Sequence, residues 1–383
     1  MALPRRLKRG QPHTTTRRTA QRTCLLVADP AVRQAILYLI GWALEKCPGV
    51  KFHGAVFEAT HKHDFVSDSP SEPKLAFFYQ LLHGFIARVI KAHYGWTDNV
   101  WRPGSVRNVE VDPSATESQW LYQCLNPVED RLALTPDAFW EQGGVIFRPE
   151  DFGKTFTIER PPWAYFGVIL PEGWEPTDPR RRAEVRAERE RRAALKASSR
   201  AERRAKKARR KRSRRGGKPG RRRPRGDRSR VTSGPLAPTV ERKTKMPKTV
   251  TFKVDVPPGW DEEKPELARE HFRALLDAEV AKIHDRHRAA GLPLVRKSAV
   301  HPFTRLTSEP KPSGSINPRI ACKDPDRIER LIADLKAWRA DYAEALARWP
   351  KSRSVRFPTG TYWMRVFHRA KVVPPPTGPP SAA

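Results

Sequence analysis

The chain has little of what marks secreted, zinc-stapled or membrane proteins. Its four cysteines are scattered along 383 residues. Because no C-x-x-C pair is present, the sequence argues against a zinc ribbon and a disulfide framework and fits a reducing cytosol. The longest strongly apolar run, AILYLIGWAL at 35–44, is about half as long as a membrane helix. The opening MALPRRLKRG is not followed by the apolar core of a signal peptide. We therefore expect neither secretion nor a membrane partner.

Nucleotide-binding motifs are missing as well. The sequence contains neither G-x-x-x-x-G-K-[ST] nor G-x-G-x-x-G, so an ATP-driven or dinucleotide-dependent enzyme is not expected. The hydrophobic fraction of 38% is low for one compact body, whereas 37 prolines and 22 glycines indicate much connecting chain. The composition therefore predicts two modest domains joined by linkers.

Positive charge is the property present in large excess. The formal net charge is +32, and residues 180–230 supply +21 of it through 26 Lys and Arg against 5 Asp and Glu. A block this basic is typical of a segment that contacts a polyanion, above all nucleic acid. The alternative is a solvated linker that only keeps the protein in solution. Six residues mark the centre of the candidate DNA contact: Arg203, Arg204, Lys206, Lys207, Arg209 and Arg210.

Hydrophobic periodicity predicts the elements of the first part of the chain. In order, these are a strand near 12–20, a helix over 30–47, strands over 50–59 and 61–68, a helix over 73–95, a strand over 105–111, and a helix over 114–125 that ends at Asn126-Pro127. This order predicts an α+β fold of the split-βαβ kind, with an antiparallel sheet and helices on one face.

The remaining sequence predicts three further segments. A basic linker, disordered or partly helical, covers 176–249, an accessory α+β domain covers 250–373, and a Pro-rich tail covers 374–383. The first domain with its extension covers 1–175. Within the accessory domain we expect helices from 266 and from 324, and two strands over 355–370 around a Pro358-Thr359-Gly360 turn.

Two histidines alternate in the predicted strand over 61–68. Side chains at i and i+2 of a strand share a face, so His61 and His63 can converge on one ion. One predicted helix later, Tyr122 and Asn126 are four residues apart and share a helix face. The imidazoles and the Asn126 carbonyl would bind a divalent ion with positions left for phosphate oxygens. Tyr122 would then attack the polarised phosphorus.

Each of these residues also has a structural interpretation. Tyr122 alone is typical of a core aromatic on an amphipathic helix, and Asn126 before Pro127 is typical of a helix cap. The H-x-H triplet alone is common by chance. It is the order of all four residues along the chain that favours the functional interpretation of the group.

Four blocks in this order, FEATHKHDFVSD, FFYQLLHGFIARVIKAHYG, NVWRPGSVRNVEV and LYQCLNPVEDRLALTP, resemble the single-tyrosine HUH transposases, and among them the REP-associated tyrosine transposases. The resemblance implies a ferredoxin-like or RRM-like fold for residues 8–140. In it, His61, His63 and Asn126 hold Mg²⁺ or Mn²⁺, and Tyr122 is the nucleophile. It also implies cleavage of single-stranded or hairpin DNA through a 5′-phosphotyrosine bond, then strand transfer, and a homodimer in some relatives.

The sequence departs from that family pattern at two positions. Thr60 stands where an asparagine is usual, and Lys62 stands between the histidines where an apolar residue is usual. Asp64 lies on the same strand face as Lys62 and is its predicted partner. In the tryptophan-centred block, Trp101 and Arg102 are candidate DNA contacts.

Three classes of function are compatible with the sequence. The first is a transposase-like single-stranded DNA endonuclease and strand transferase, expected in the nucleoid of the cytoplasm. The second is a catalytically silent DNA- or RNA-binding protein that retains the fold. A basic ribosome-associated protein is favoured by the charged block alone, but not by the group of His61, His63, Tyr122 and Asn126.

Overall fold

The computed structural model describes residues 6–104, 106–110, 112–162, 246–294, 302–305 and 319–374. The chain divides into two compact units, and all described residues belong to the unit formed by residues 1–168 and 239–383. The basic block and the six residues at its centre lie outside the described ranges, as does nearly all of the Pro-rich tail. What we predict for them from the sequence stays a prediction.

The elements of this unit follow in chain order. The helices are α1 (Pro30–Lys46), α2 (Leu75–Tyr94), α3 (Pro113–Glu129), α4 (Pro136–Glu141), α5 (Pro265–Ala289), α6 (Pro325–Arg348) and α7 (Trp363–His368). The strands are β1 (Pro12–Arg18), β2 (Lys51–Glu58), β3 (His61–Ser67), β4 (Val106–Glu110), β5 (Val145–Ile146), β6 (Thr155–Glu159), β7 (Thr249–Lys253), β8 (Arg319–Ala321), β9 (Arg356–Phe357) and β10 (Lys371–Val372).

A six-stranded sheet forms the centre of the unit, in the order β5–β2–β3–β1–β4–β8. Neighbouring strands from β5 to β4 are antiparallel, and β8 joins β4 in parallel. Along the chain, β1, α1, β2, β3, α2 and β4 give the strand–helix–strand–strand–helix–strand order of a split-βαβ fold. The predicted α+β class is confirmed.

The first two helices pack against each other. α1 begins where the Asp29 carboxylate accepts hydrogen bonds from the backbone N–H groups of Ala31 and Val32. This cap satisfies two of the donors that a helix start leaves free. Farther along, Trp42 of α1 meets Phe85 of α2 edge to face, with 4.7 Å between ring centroids. The two helices and the sheet therefore share one apolar core.

α2 is long and apolar enough to cross a membrane by length and composition. Its apolar residues nevertheless have partners within the fold, because Phe78, Leu82, Ile86 and Val89 are buried in the core. These positions recur at steps of three and four, which is the stripe predicted from the sequence. The apolar character of α2 is thus accounted for by its packing as a core helix.

The described residues after position 246 add to the same core. β7 pairs antiparallel with β6, and its side chains approach α1 where that helix carries a glycine. A Cβ at Gly41 would lie 2.7 Å from Val250 Cγ2 and 2.8 Å from Phe252 Cδ1, so the absence of a side chain at Gly41 allows this approach. The predicted domain boundary at residue 250 therefore falls within a strand that packs against the first helix.

α5 also packs against elements of the first domain. Its Phe272 ring lies 4.8 Å from Trp120 of α3 and 5.5 Å from Phe152. The last elements, α6 to β10, have a small cluster of their own, formed by Ala345, Phe357, Met364 and Ala370. The predicted accessory region thus divides into a part that extends the first core and a part whose buried apolar residues form a cluster of their own.

The prediction of two strands over 355–370 is wrong. β9 and β10 pair in parallel, and α7 occupies the chain between them. Parallel strands cannot be joined by a tight turn and need a crossover, which α7 provides. Gly360 has a φ of 81°, and a Cβ there would lie 2.7 Å from the Leu7 carbonyl oxygen. Docking of this turn against Leu7 is a long-range contact that strand periodicity does not indicate.

His53 joins β2 to the segment after β7 and gives the fold a pH dependence. Its Nδ1 lies 2.7 Å from the Val256 carbonyl oxygen, which can only accept, so Nδ1 carries the proton and Nε2 accepts from the Ser67 hydroxyl at 2.8 Å. Burial lowers the pKa of His53 to about 4. In the unfolded chain, the His53 imidazole takes up its second proton near its ordinary pKa of 6.5. The stability that neutral His53 contributes is therefore fully present above pH 6.5 and is lost as the pH falls through 4.

We expect His53 to account for about 3 kcal/mol of acid destabilisation between pH 7 and pH 4. His53→Asn keeps a side-chain donor for the Val256 carbonyl and does not titrate. Its free energy of unfolding in urea should therefore fall less steeply over this range than that of the wild type. Parallel curves of stability against pH for the two proteins would contradict the assignment.

Candidate active site

β3 presents its two histidines on one face of the sheet. His61 and His63 lie two residues apart, and their ring centroids are 4.9 Å apart with the rings nearly perpendicular. Both side chains are buried, at 9% and 6% exposure. Lys62 points to the opposite face, where it contacts α2 through the Tyr79 ring. The strand alternation expected from the sequence is therefore what the structure has.

α3 brings a tyrosine to the same sheet face. The ring centroid of Tyr122 lies 5.6 Å from that of His63, with the ring planes at 87°. The helix is held in place by Trp120, which is buried and whose Nε1 donates to the His53 carbonyl oxygen of β2 at 3.3 Å. Tyr122 itself is 54% exposed. An exposed phenol beside buried imidazoles is more typical of a reacting group than of an aromatic residue in the core.

Asn126 lies one helical turn after Tyr122 and is buried, at 7% exposure. The prediction that the helix ends at Asn126 is wrong, because α3 continues through Pro127 to Glu129 and its C-cap is Asp130. The backbone N–H of Asp130 donates to the Asn126 carbonyl oxygen at 2.8 Å. Pro127 has no backbone N–H and so removes one helix hydrogen bond. Because Pro127 lies in the last turn, the helix continues past it to Glu129. Asn126 is therefore not a cap.

Several buried polar atoms at this site lack hydrogen-bond partners among the described residues. They are His63 Nε2, Asn126 Nδ2 and both carboxylate oxygens of Glu58. The other ring nitrogen of His63, Nδ1, lies 2.9 Å from Thr16 Oγ1. Thr16 therefore fixes the orientation of the imidazole and leaves Nε2 for a ligand. Unpaired buried polar atoms are costly and need an explanation.

Two carboxylates at the site were not predicted from the sequence. Glu58 ends β2 and pairs in register with His61, and Glu58 Oε2 lies 3.4 Å from His61 Nε2. Asp130 follows α3. One possible ligand atom from each of Glu58, His61 and Asp130 lies within 4.8 Å of the others, so these residues could hold a metal ion. The signal available in the sequence was the two-residue connection Ala59-Thr60, which sets Glu58 opposite His61.

Burial and nearby charges set the protonation of this group. Burial lowers the pKa of His61 to about 4, and the Arg18 charge acts in the same direction. Burial also lowers the pKa of His63 well below its usual range, with His61 and Lys62 adding to the effect. Both imidazoles are therefore neutral near pH 7, and their lone pairs are free to coordinate a metal.

The pKa values of the acidic groups at the site are raised, not lowered. Burial raises the pKa of Glu58 well above its usual range, and the Asp130 carboxylate adds to this. Burial likewise raises the pKa of Tyr122, with Glu58 and Asp130 contributing and the Arg18 charge opposing them. The phenol is therefore protonated near neutrality, and a cation at the site would act in the same direction as Arg18.

The donor set fits a divalent ion. Neutral imidazole nitrogens coordinate divalent transition-metal ions, and amide and carboxylate oxygens coordinate the harder divalent ions. The structure brings His61, His63 and Tyr122 together within one chain, and the buried Asn126 follows Tyr122 by one helical turn. The three-residue group around Glu58 includes His61 but not His63.

The structure does not bring Trp101 and Arg102 to a common surface. Trp101 is 8% exposed, and its Nε1 donates to the His83 carbonyl oxygen at 2.8 Å. The Arg17 guanidinium covers its ring at 5.4 Å. Its indole is therefore used in packing, which does not support a DNA contact through the Trp101 ring. Arg102 is exposed, and its predicted DNA contact stays a prediction.

Comparisons with known proteins add little to this picture. No family model matches the chain, and no curated protein matches it. Among solved structures, a REP-associated tyrosine transposase bound to a REP hairpin aligns with 34% of this chain and 74% of its own, at 18% identity and a TM-score of 0.28. A candidate transposase from Deinococcus radiodurans R1 aligns with 28% of this chain and 84% of its own, at 18% identity and a TM-score of 0.22.

Proposed function

We propose that the chain is a metal-dependent, single-strand DNA endonuclease and strand transferase that uses Tyr122 as its nucleophile. The observation that carries the proposal is the position of the Tyr122 ring, exposed and 5.6 Å from the His63 ring. The resemblance of the sequence to single-tyrosine HUH transposases assigns these residues to catalysis, and their proximity in one chain supports it.

The chemistry is a pair of transesterifications at phosphorus. In the first, Tyr122 Oη attacks a scissile phosphodiester, a 5′-phosphotyrosine bond forms, the bond from phosphorus to the 3′ oxygen breaks, and the leaving strand ends in a 3′ hydroxyl. The proton of the phenol passes to solvent, to which Tyr122 is open. In the second, a 3′ hydroxyl attacks the phosphotyrosine, a phosphodiester forms, the bond from phosphorus to Tyr122 Oη breaks, the hydroxyl proton passes to solvent, and the phenol takes up a proton from solvent. Each step conserves the number of phosphoester bonds, so no nucleotide is consumed.

His61, His63 and Asn126 would hold Mg²⁺ or Mn²⁺ in this function. When bound, the ion polarises the phosphate oxygens. The contribution of the chain is to keep both imidazoles neutral by burial and to fix the His63 ring through Thr16. Arg18 contributes a positive charge that favours the ionised phenol.

A covalent adduct tests the proposal. Full-length protein incubated with single-stranded DNA hairpins and Mn²⁺ or Mg²⁺ should form a complex that survives denaturation. Because the DNA site is not specified by the chain, the substrate pool must include many hairpin sequences. Ordinary affinity for these hairpins without any adduct would favour the silent DNA- or RNA-binding alternative.

The basic block has a separate expected role in DNA affinity. Deleting residues 180–230, which carry a net +21, should weaken binding to all single-stranded DNA sequences about equally. The plot of log K against log salt should also become flatter, by about 0.7 for each phosphate that the block neutralises, since arginine–phosphate pairing releases counterions without reading bases.

Two variants separate charge from spacing in that experiment. Replacing the 26 Lys and Arg of this block with Gln keeps its length and should reproduce the effect of the deletion. Removing the uncharged residues 374–383 should change neither affinity nor slope. If the deletion leaves the salt slope unchanged, the block is only a spacer.

A further inference from the structure

Glu58 is a buried acid that lies beside a second acid, Asp130, and burial together with the Asp130 carboxylate raises the pKa of Glu58. It is 2% exposed, and neither carboxylate oxygen satisfies hydrogen-bond geometry with a described residue. An isolated buried carboxylate is costly, and proteins normally pair it, protonate it or place it on a cation. His61 Nε2 lies 3.4 Å from Glu58 Oε2 but does not make a hydrogen bond of acceptable geometry with it.

Its surroundings favour a cation over a second protein group. The Asp130 carboxylate converges on the same point from the end of α3, and the ligand atoms of Glu58, His61 and Asp130 lie within 4.8 Å of one another. Two carboxylates that meet repel each other unless a proton or a cation lies between them. The His61 imidazole beside them, with Nε2 3.4 Å from Glu58 Oε2, is of the residue type that most often ligates metals, which favours the cation. Asp130 is exposed, so an ion can reach the group from solvent.

We propose that Glu58 and Asp130 are metal ligands, so that the ion is held by two carboxylates together with His61. This ligand set carries two formal negative charges, whereas the set implied by the resemblance, two imidazoles and an amide, carries none. A more negative ligand set binds a hard divalent ion more tightly. The ion should therefore bind to the free protein, before any DNA phosphate arrives.

The position of Glu58 explains how the site would be built. The pairing of β2 with β3 fixes Glu58 opposite His61, and the short Ala59-Thr60 connection leaves little freedom between them. Asp130 is fixed by its backbone hydrogen bond to Asn126 at 2.8 Å. Both carboxylates thus come from the ends of regular elements, which is a rigid basis for a metal site.

The test is Mn²⁺ binding to the full chain without DNA, measured by isothermal titration calorimetry and by electron paramagnetic resonance. Glu58→Gln and Asp130→Asn should each weaken Mn²⁺ binding by at least about tenfold. Glu129→Gln is the matched control. It removes the same charge one residue from Asp130, but Glu129 pairs with Arg286 and lies outside the ligand group, so its Kd should stay within about twofold of the wild type.

Two results would overturn the proposal. One is wild-type affinity in both Glu58→Gln and Asp130→Asn, which would leave the metal to the histidines and Asn126. The other is no Mn²⁺ binding by the wild type, which would make Glu58 a protonated buried acid only. Thermal unfolding of each variant, expected near the wild-type Tm, excludes loss of fold as the cause. Because no DNA is present, failure of the adduct assay together with carboxylate-dependent Mn²⁺ binding would refute the proposed function and not this site.

Discussion

Tyr122→Phe should abolish the covalent protein–DNA adduct and leave DNA affinity within about twofold of the wild type. The substitution removes only the phenolic oxygen, the atom that would attack phosphorus. The ring packs beside His63 in both proteins, and because Tyr122 is half exposed, removal of one oxygen should change the stability little. The measurement is the yield of labelled DNA that stays attached to the protein after denaturation.

Matched variants make the adduct result specific. Tyr342→Phe makes the same change in α6, where the ring packs against Phe357, and should retain the full adduct yield. His61→Ala and His63→Ala should block the adduct, because the phosphate would lose its polarising ion. An adduct that persists in Tyr122→Phe would move the nucleophile to another residue and remove the basis of the proposed mechanism.

Asp64→Ala should cost about 3 to 5 kcal/mol of stability, the largest effect that we expect from a single substitution away from the catalytic group. Lys62 and Asp64 form a salt bridge at 0% and 1% side-chain exposure. Tyr79 Oη donates to Asp64 Oδ1 at 2.8 Å, and Lys62 Nζ lies 4.9 Å from the Tyr79 ring centroid. Without Asp64, the Lys62 amine is left buried without its partner, and burial, with the Arg17 charge, lowers the pKa of Lys62 well below its usual range.

The double variant Lys62→Met/Asp64→Leu should recover most of that loss. Replacing both partners of a buried ion pair with apolar residues of similar size is often neutral or stabilising. The free energy of unfolding in urea measures each protein, and the double variant remains informative if Asp64→Ala fails to fold. A loss below about 1 kcal/mol in Asp64→Ala would show that the pair contributes little.

Local patterns predicted most of the elements and part of the site. The alternation along 61–67 placed both histidines on one face, and it also predicted the Lys62–Asp64 pair, which is confirmed. The sequence predicted the apolar stripe of α2 and the Asp324 cap of α6, because both depend on residues that are neighbours along the chain. The spacing of Tyr122 and Asn126 predicted a shared helix face for the same reason.

Features that depend on distant contacts were not predictable. The passage of α3 through Pro127 is one, since the helix there is supported by packing of Trp120 against Phe152 and Phe272. The approach of Glu58 and Asp130 is another, because their meeting depends on how α3 lies across the sheet. Sequence periodicity predicts which face of a helix or strand is buried, but not which other element packs against that face.

The pairing of β6 with β7 makes the chain between them a closed loop. Glu159 pairs with Thr249, and the backbone N–H of Arg160 donates to the Lys248 carbonyl oxygen at 2.8 Å. The stacked rings of Phe156 and Phe252, 5.5 Å apart, and their contact with Phe147 hold both strands in one apolar cluster. The chain therefore leaves this core after Arg160 and returns to it at Lys248 at neighbouring points of one strand pair.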